Sequence, residues 1–162
     1  MTDRATTALA ESADDLLRYF RRRVGDNDAP DLLADTLTTA WRRAPALPRN
    51  PDDARAWLFG IAHNTLLNYR RGIQRRNRLA DRVRTVLGTT DQAPAADAGL
   101  DVRDAINALD AKQAEIVRLV HWEGFSLAQA ADMLDQPAST VRNHYQRAKQ
   151  QLRKALEATT LC

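Results

Sequence analysis

The chain has one cysteine, Cys162, which excludes an internal disulfide framework and any cysteine-based zinc site. Its three histidines, His63, His121 and His144, are scattered, and no two stand at the i, i+4 spacing that places a pair of zinc ligands on one helix. There is no Gly-rich phosphate loop, and no Ser-His-acid set can be argued. No metal, cofactor or enzymatic activity is therefore expected. Long apolar runs are missing too: none approaches the roughly 20 residues needed to span a bilayer. The opening stretch MTDRATTALAESADD is acidic and polar and lacks the apolar centre of a signal peptide. The expectation is a cytoplasmic protein with no direct membrane insertion. Strand signals are equally poor, because β-branched residues never alternate over a useful length.

What remains is ordinary for a folded protein: 44% hydrophobic and 28% charged residues in 162, enough for one domain or two small ones. The net charge of +3 does not by itself argue for nucleic acid. The kind of base is more telling. Lysine is scarce, and 21 of the 24 basic residues are Arg. A GC-rich coding sequence produces that bias; so does a need for the guanidinium fork on phosphates and guanine edges.

Residues 1–12 read as a frayed tail. Leu16, Leu17, Phe20 and Val24 then recur at helical spacing up to a Gly25-Asp26-Asn27-Asp28 turn. Pro30 suits a first helical turn, and Leu33, Leu37, Ala40 and Trp41 form the next apolar stripe. ALPRNPDD is a loop, and within it Asn50-Pro51-Asp52-Asp53 starts a third helix: a capping Asn, Pro at the first position, then two carboxylates at the positive end of the dipole. That helix runs to Arg71 or beyond, burying Ala54, Trp57, Leu58, Ile61, Ala62, Thr65, Leu66 and Tyr69. Asn64, Asn68 and Arg71 fall on the other side. Its continuation RRGIQRRNRLADRVR has seven Arg against one Asp, either a solvated face or a nucleic-acid contact.

Composition changes at 88–101, GTTDQAPAADAGLD, which has the profile of a flexible linker reaching at most roughly 45–50 Å. The fold class is thus all-α: two small helical domains, 13–87 and 102–157, joined by that linker. In the second, Val102, Ile106 and Leu109 form one helix, and Ile116, Val117 and Val120 another. Ser126 caps a third with Gln129 at the capping-box position. Leu127, Ala130, Ala131 and Leu134 pack inward, and Asp135-Gln136-Pro137 makes a turn. A last helix buries Val141, Tyr145, Ala148 and Leu152 and turns Arg142, Asn143, Gln146, Arg147 and Lys149 outward. A short apolar helix, a three-residue break and a long basic helix make a helix-turn-helix, the geometry that sets side chains in a major groove.

Three segments, in order, resemble the sigma-70 family of bacterial transcription initiation factors, and within it the small extracytoplasmic-function group. Trp57-Leu58-x-x-Ile61-Ala62-x-Asn64-x-x-x-Asn68-x-x-Arg71 is similar to the family's W-L-x-x-I-A-x-N-x-x-x-D-x-x-R. Asp31-Leu32-Leu33-Ala34-Asp35-Thr36-Leu37, with Ala40-Trp41-Arg42, resembles D-L-x-Q-E-T-F…A-W-R. Leu134 to Val141, with Arg147-Ala148, resembles L-G-x-P-x-G-T-V…R-A. Ala34 and Asp35 depart from the usual Gln and Glu, Asn68 from an Asp, and Asp135 from a turn glycine.

The resemblance implies a region 2 domain, a linker and a region 4 domain. Its implied partners are core RNA polymerase (β′ clamp helices and β flap), promoter DNA and an anti-sigma factor. By that likeness Asp31, Asp35, Thr36 and Arg42 meet polymerase, with Leu33, Leu37 and Trp41 packed inward. Asn64, Asn68, Arg70 and Arg71 read and hold the opened −10 strand, the loop Ala46–Asp53 surrounds an extruded base, and Trp57 anchors the core. Ser139, Thr140, Arg142, Asn143, Gln146 and Arg147 contact the −35 duplex. The alternative is a helix-turn-helix regulator that binds operators and never touches polymerase. It accounts for the C-terminal half but leaves the Trp57–Arg71 helix without a job.

Overall fold

Side-chain caps and prolines set the starts of three helices in this chain. The computed structural model describes residues 2–87 and 102–160. The helices are α1 Thr2–Val24, α2 Ala29–Arg42, α3 Pro51–Leu87, α4 Val102–Asn107, α5 Ala111–His121, α6 Leu127–Leu134 and α7 Ala138–Thr160, with a 3-10 turn at Ala44–Ala46. No strand occurs among the described residues, and none of their helices is long and apolar enough to cross a membrane. The expected linker, 88–101, lies outside the described residues.

α1 ends at Gly25, whose φ of +86° lets its N–H reach the Arg21 carbonyl. Pro30 sits in the first turn of α2. Asn50 Oδ1 accepts from the N–H groups of Asp52 and Asp53 at 2.9 and 3.3 Å, the cap expected for α3. Ser126 and Gln129 form a reciprocal capping box on α6 (3.1 and 3.0 Å). Asp135 ends α6 in the left-handed region, φ 53° and ψ 49°.

The helices form two compact units. One holds α1, α2 and α3 from Ile61 onward; the other holds Pro48–Gly60 and α4–α7. The first unit buries Leu16, Tyr19, Phe20, Leu32, Ile61, Ala62 and Leu66. The supposed frayed tail is helical: Ala5 is buried, and the Arg4 guanidinium donates to the Leu47 carbonyl at 3.0 Å. The second unit packs Ile106, Leu109, Ala114, Val117 and Ala148, with Trp122, Tyr145 and Leu152 against them. Val102, expected inside, is exposed.

The second unit also takes in the start of α3. There Phe59 meets Phe125 edge to face, centroids 5.0 Å apart, and the Arg55 guanidinium lies over both rings at 4.7 and 4.4 Å.

Candidate nucleic-acid interface

α7 is amphipathic in a way that separates its two tasks. Val141 and Ala148 are buried, Tyr145 and Leu152 half-buried, and this stripe holds the helix on α4, α5 and α6. Tyr145 is fixed from both sides: its hydroxyl lies 2.9 Å from His121 Nε2, and the Lys149 ammonium sits 5.0 Å from its ring centre. Ser139, Arg142, Asn143, Gln146 and Arg147 are all exposed on the opposite face, and Thr140 is half-buried at its edge. Gln150 and Arg153 continue the same face one turn further on. The helix has no acid before Glu157 and starts beside Ser139 and Thr140, where its free N–H groups favour phosphate. At 23 residues it is roughly 35 Å long, more than its own core requires.

In the first unit, α2 and α3 enclose a cleft of about 470 Å³. Leu32, Asp35, Thr38, Thr39 and Arg42 line it from α2; Thr65, Asn68 and Tyr69 line it from α3. Residues expected to serve polymerase (Asp35, Arg42) and the −10 strand (Asn68) thus share one cleft. Asn64, Asn68, Arg70 and Arg71 are exposed, and Arg71 donates to the Asn68 amide oxygen at 3.4 Å. Tyr69 donates its phenol hydrogen to Asp28, and that hydrogen bond, helped by desolvation, raises the phenol's pKa. The tie joins the start of α2 to the middle of α3.

Two expectations for α2 need correcting. Thr36 is fully buried, its hydroxyl donating to the Leu32 carbonyl at 2.8 Å, so its side chain offers polymerase no surface. Trp41, expected inside, is 47% exposed. Both follow from one rotation of the helix. The buried stripe is Ala29, Leu32, Thr36 and Ala40, leaving Leu33 and Leu37 half-buried. A count of apolar residues passes over Thr36, but a threonine whose hydroxyl is satisfied by the preceding turn is buried at little cost. Asp31, Asp35, Thr38 and Arg42 recur at i, i+4, i+7 and i+11 along the exposed outer face, where the last three also border the cleft, and Trp41 flanks them. Trp57 is half-buried.

Comparison with known proteins decides the family. Sigma-70 region 2 matches residues 9–76, and sigma-70 region 4 matches residues 99–152. The ECF RNA polymerase sigma factor SigL of Mycobacterium tuberculosis is 31% identical over 159 residues, covering 91% of this chain and 85% of that protein.

The chain belongs to the sigma-70 family.

A second relative, the RNA polymerase sigma factor NccH of Alcaligenes xylosoxydans xylosoxydans, is 29% identical over 98% of the chain and 86% of its own length. Among solved structures, the sigma factor RpoE of Bartonella quintana, crystallised with the anti-sigma factor NepR, superposes with a TM-score of 0.71. It is 26% identical and covers 94% of this chain and 96% of that one. CnrH, solved with the cytosolic domain of CnrY, shares the fold with a TM-score of 0.54 at 24% identity, covering 96% of this chain and 84% of that one. In sigma-70 terms the α2–α3 cleft belongs to region 2, and α6–α7 form the helix-turn-helix of region 4.

Proposed function

We propose that this chain is an initiation factor of the extracytoplasmic-function type. It binds core RNA polymerase and directs the enzyme to particular promoters, holding the −35 element as duplex and opening the −10 element. The observation that carries the reading is that region 2 and region 4 occur in that order on one chain, each with an exposed face suited to its task. A regulator that only bound operators has no use for the first.

The outer face of α2 meets the β′ clamp helices through Asp31, Asp35 and Arg42. Trp41 joins them, since an exposed aromatic flanked by charges is the kind of anchor that dominates interfaces. Thr36 supports this face from within. Asn64 and Asn68 read base edges of the opened strand, while Arg70 and Arg71 hold its backbone. Unstacking a base costs a few kcal/mol, so strand contacts and polymerase contacts offset that jointly. On α7, Arg142, Asn143, Gln146 and Arg147 face the major groove, and Ser139 and Thr140 take phosphate. The region 4 unit also meets the β flap. The chain acts as a specificity subunit in the cytoplasm, not as an enzyme. By likeness to RpoE, an anti-sigma protein holds it in reserve.

Run-off transcription with core polymerase on genomic fragments tests the reading. Initiation at defined sites only when the chain is added is the expected result. Active core enzyme that gains no initiation from the chain would overturn it.

A further inference from the structure

Past Arg71, α3 continues for roughly four more turns to Leu87, and the side chains there fit neither task above. Leu79, Val83 and Val86 recur at i, i+4 and i+7 with Leu87 beside them, so the four share one face. They are 64%, 47%, 85% and 69% exposed. Scattered surface leucines are unremarkable; four apolar side chains in one stripe along a solvent-facing helix are not.

The edge of the stripe is equally regular. Arg71, Arg75, Arg78 and Arg82 follow at i, i+4, i+7 and i+11, a row of guanidinium groups alongside the apolar seam. The segment's one acid, Asp81, stands on the other side and is engaged by Arg84 at 3.1 Å. Arg75, Arg78 and Arg82 make no ion pair among the described residues. The pattern, apolar seam plus one row of a single charge, is half of a two-helix interface.

The chemistry selects the missing half. Nucleic acid would satisfy the arginines but leave the leucine and valines in water. A second copy would bring an identical arginine row against this one. A helix with its own apolar seam and a row of carboxylates covers both features at once. We propose that residues 72–87 of α3 are a docking surface for an acidic amphipathic helix of a partner protein. Leu79, Val83 and Val86 enter its seam, and Arg75, Arg78 and Arg82 pair with its carboxylates. The proposal is independent of polymerase and promoter binding.

The test uses the full chain and a synthetic helix of three heptads with Leu at the seam and Glu at the flanking positions. A scrambled peptide of the same composition serves as control, and binding is read by fluorescence anisotropy. Saturable binding of the patterned peptide alone is expected, weakened about tenfold or more by Leu79→Gln, Val83→Gln and Val86→Gln combined. Arg75→Gln, Arg78→Gln and Arg82→Gln combined should weaken it similarly and flatten its salt dependence. All six positions are exposed, so both variants should keep the parent's thermal melt. Equal binding of the scrambled peptide, or binding that neither variant weakens, overturns the proposal. So does a concentration-dependent dimer lost in the apolar variant, which assigns the seam to a second copy. A matching loss of duplex DNA affinity in the arginine variant would assign the surface to nucleic acid. None of these outcomes touches the run-off result, so the two readings fail separately.

Discussion

At the turn of the helix-turn-helix, Asp135 holds φ 53° and ψ 49°, a conformation in which every side chain except glycine's crowds the following carbonyl. The strain is bearable because a short polar side chain tolerates this region best. Asp135→Gly is expected to raise the unfolding free energy by about 0.5 kcal/mol, the relief of strain being partly offset by the freer unfolded chain. Asp135→Val should lower it by more than 1 kcal/mol, roughly; urea denaturation of both variants reads the difference. Trp41 makes the opposite kind of prediction. Half-exposed and outside the buried stripe of α2, it should contribute little to folding and much to polymerase binding. Trp41→Ala is expected to leave the melt within a degree or two, roughly, and to weaken association with core polymerase about tenfold or more. A lowered melt with unchanged association would return Trp41 to the core. Both residues also mark what sequence reading resolves. Asp135 was legible because the turn demands a backbone shape that few residues adopt. Trp41 was not, because its orientation hangs on whether Thr36, a polar residue, goes inside.

Helix starts in this chain are set locally, and the capping box of α6 is the clearest case. Ser126 Oγ satisfies the Gln129 N–H, and the Gln129 amide oxygen satisfies the Ser126 N–H. Ser126→Ala should destabilise the C-terminal unit by about 1 kcal/mol, while Ser126→Thr keeps most of the cap. Equal unfolding midpoints for the two variants would show that α6 is held by packing alone. Because caps act over three or four residues, the starts of α2, α3 and α6 and the all-α class could be read from the chain, as could the exposed face of α7. Features set by distant partners could not. Helical order at residues 2–12 depends on such contacts as Arg4 with the Leu47 carbonyl, 43 positions away. The burial of Phe59 depends on Phe125, which no periodicity within α3 points to. The cleft that brings Asp35 and Arg42 beside Asn68 needs two helices packed together, although each residue was named on its own helix.

Taken as a whole, the chain is less neutral than its net charge of +3 suggests. α7 holds five cations against one acid, and residues 70–87 hold seven against one; the remaining twelve cations face nineteen acids. Positive charge is therefore concentrated on two helices, while the remainder of the chain carries a net negative charge. Duplex binding should follow the charge of α7, not that of the molecule. If three to five of Arg142, Arg147, Lys149, Arg153 and Lys154 neutralise phosphates, each contributes about −0.9 to the slope of log affinity against log salt. Affinity of the full chain for a −35 duplex should then fall about 40- to 500-fold between about 50 and 200 mM monovalent salt. Neutralising Arg153 to Gln should make the slope shallower by about one at every sequence, a phosphate signature. Arg147→Ala should in addition relax preference at one base pair by about 1–3 kcal/mol, because a bidentate contact to a guanine edge carries sequence information. Substituting Arg75, Arg78 and Arg82 with Gln removes three positive charges outside α7. An unchanged slope in that variant keeps the two basic helices separate in function. A slope shallower by about three would mean that both helices lie on the same duplex, and the division of labour between them would have to be given up.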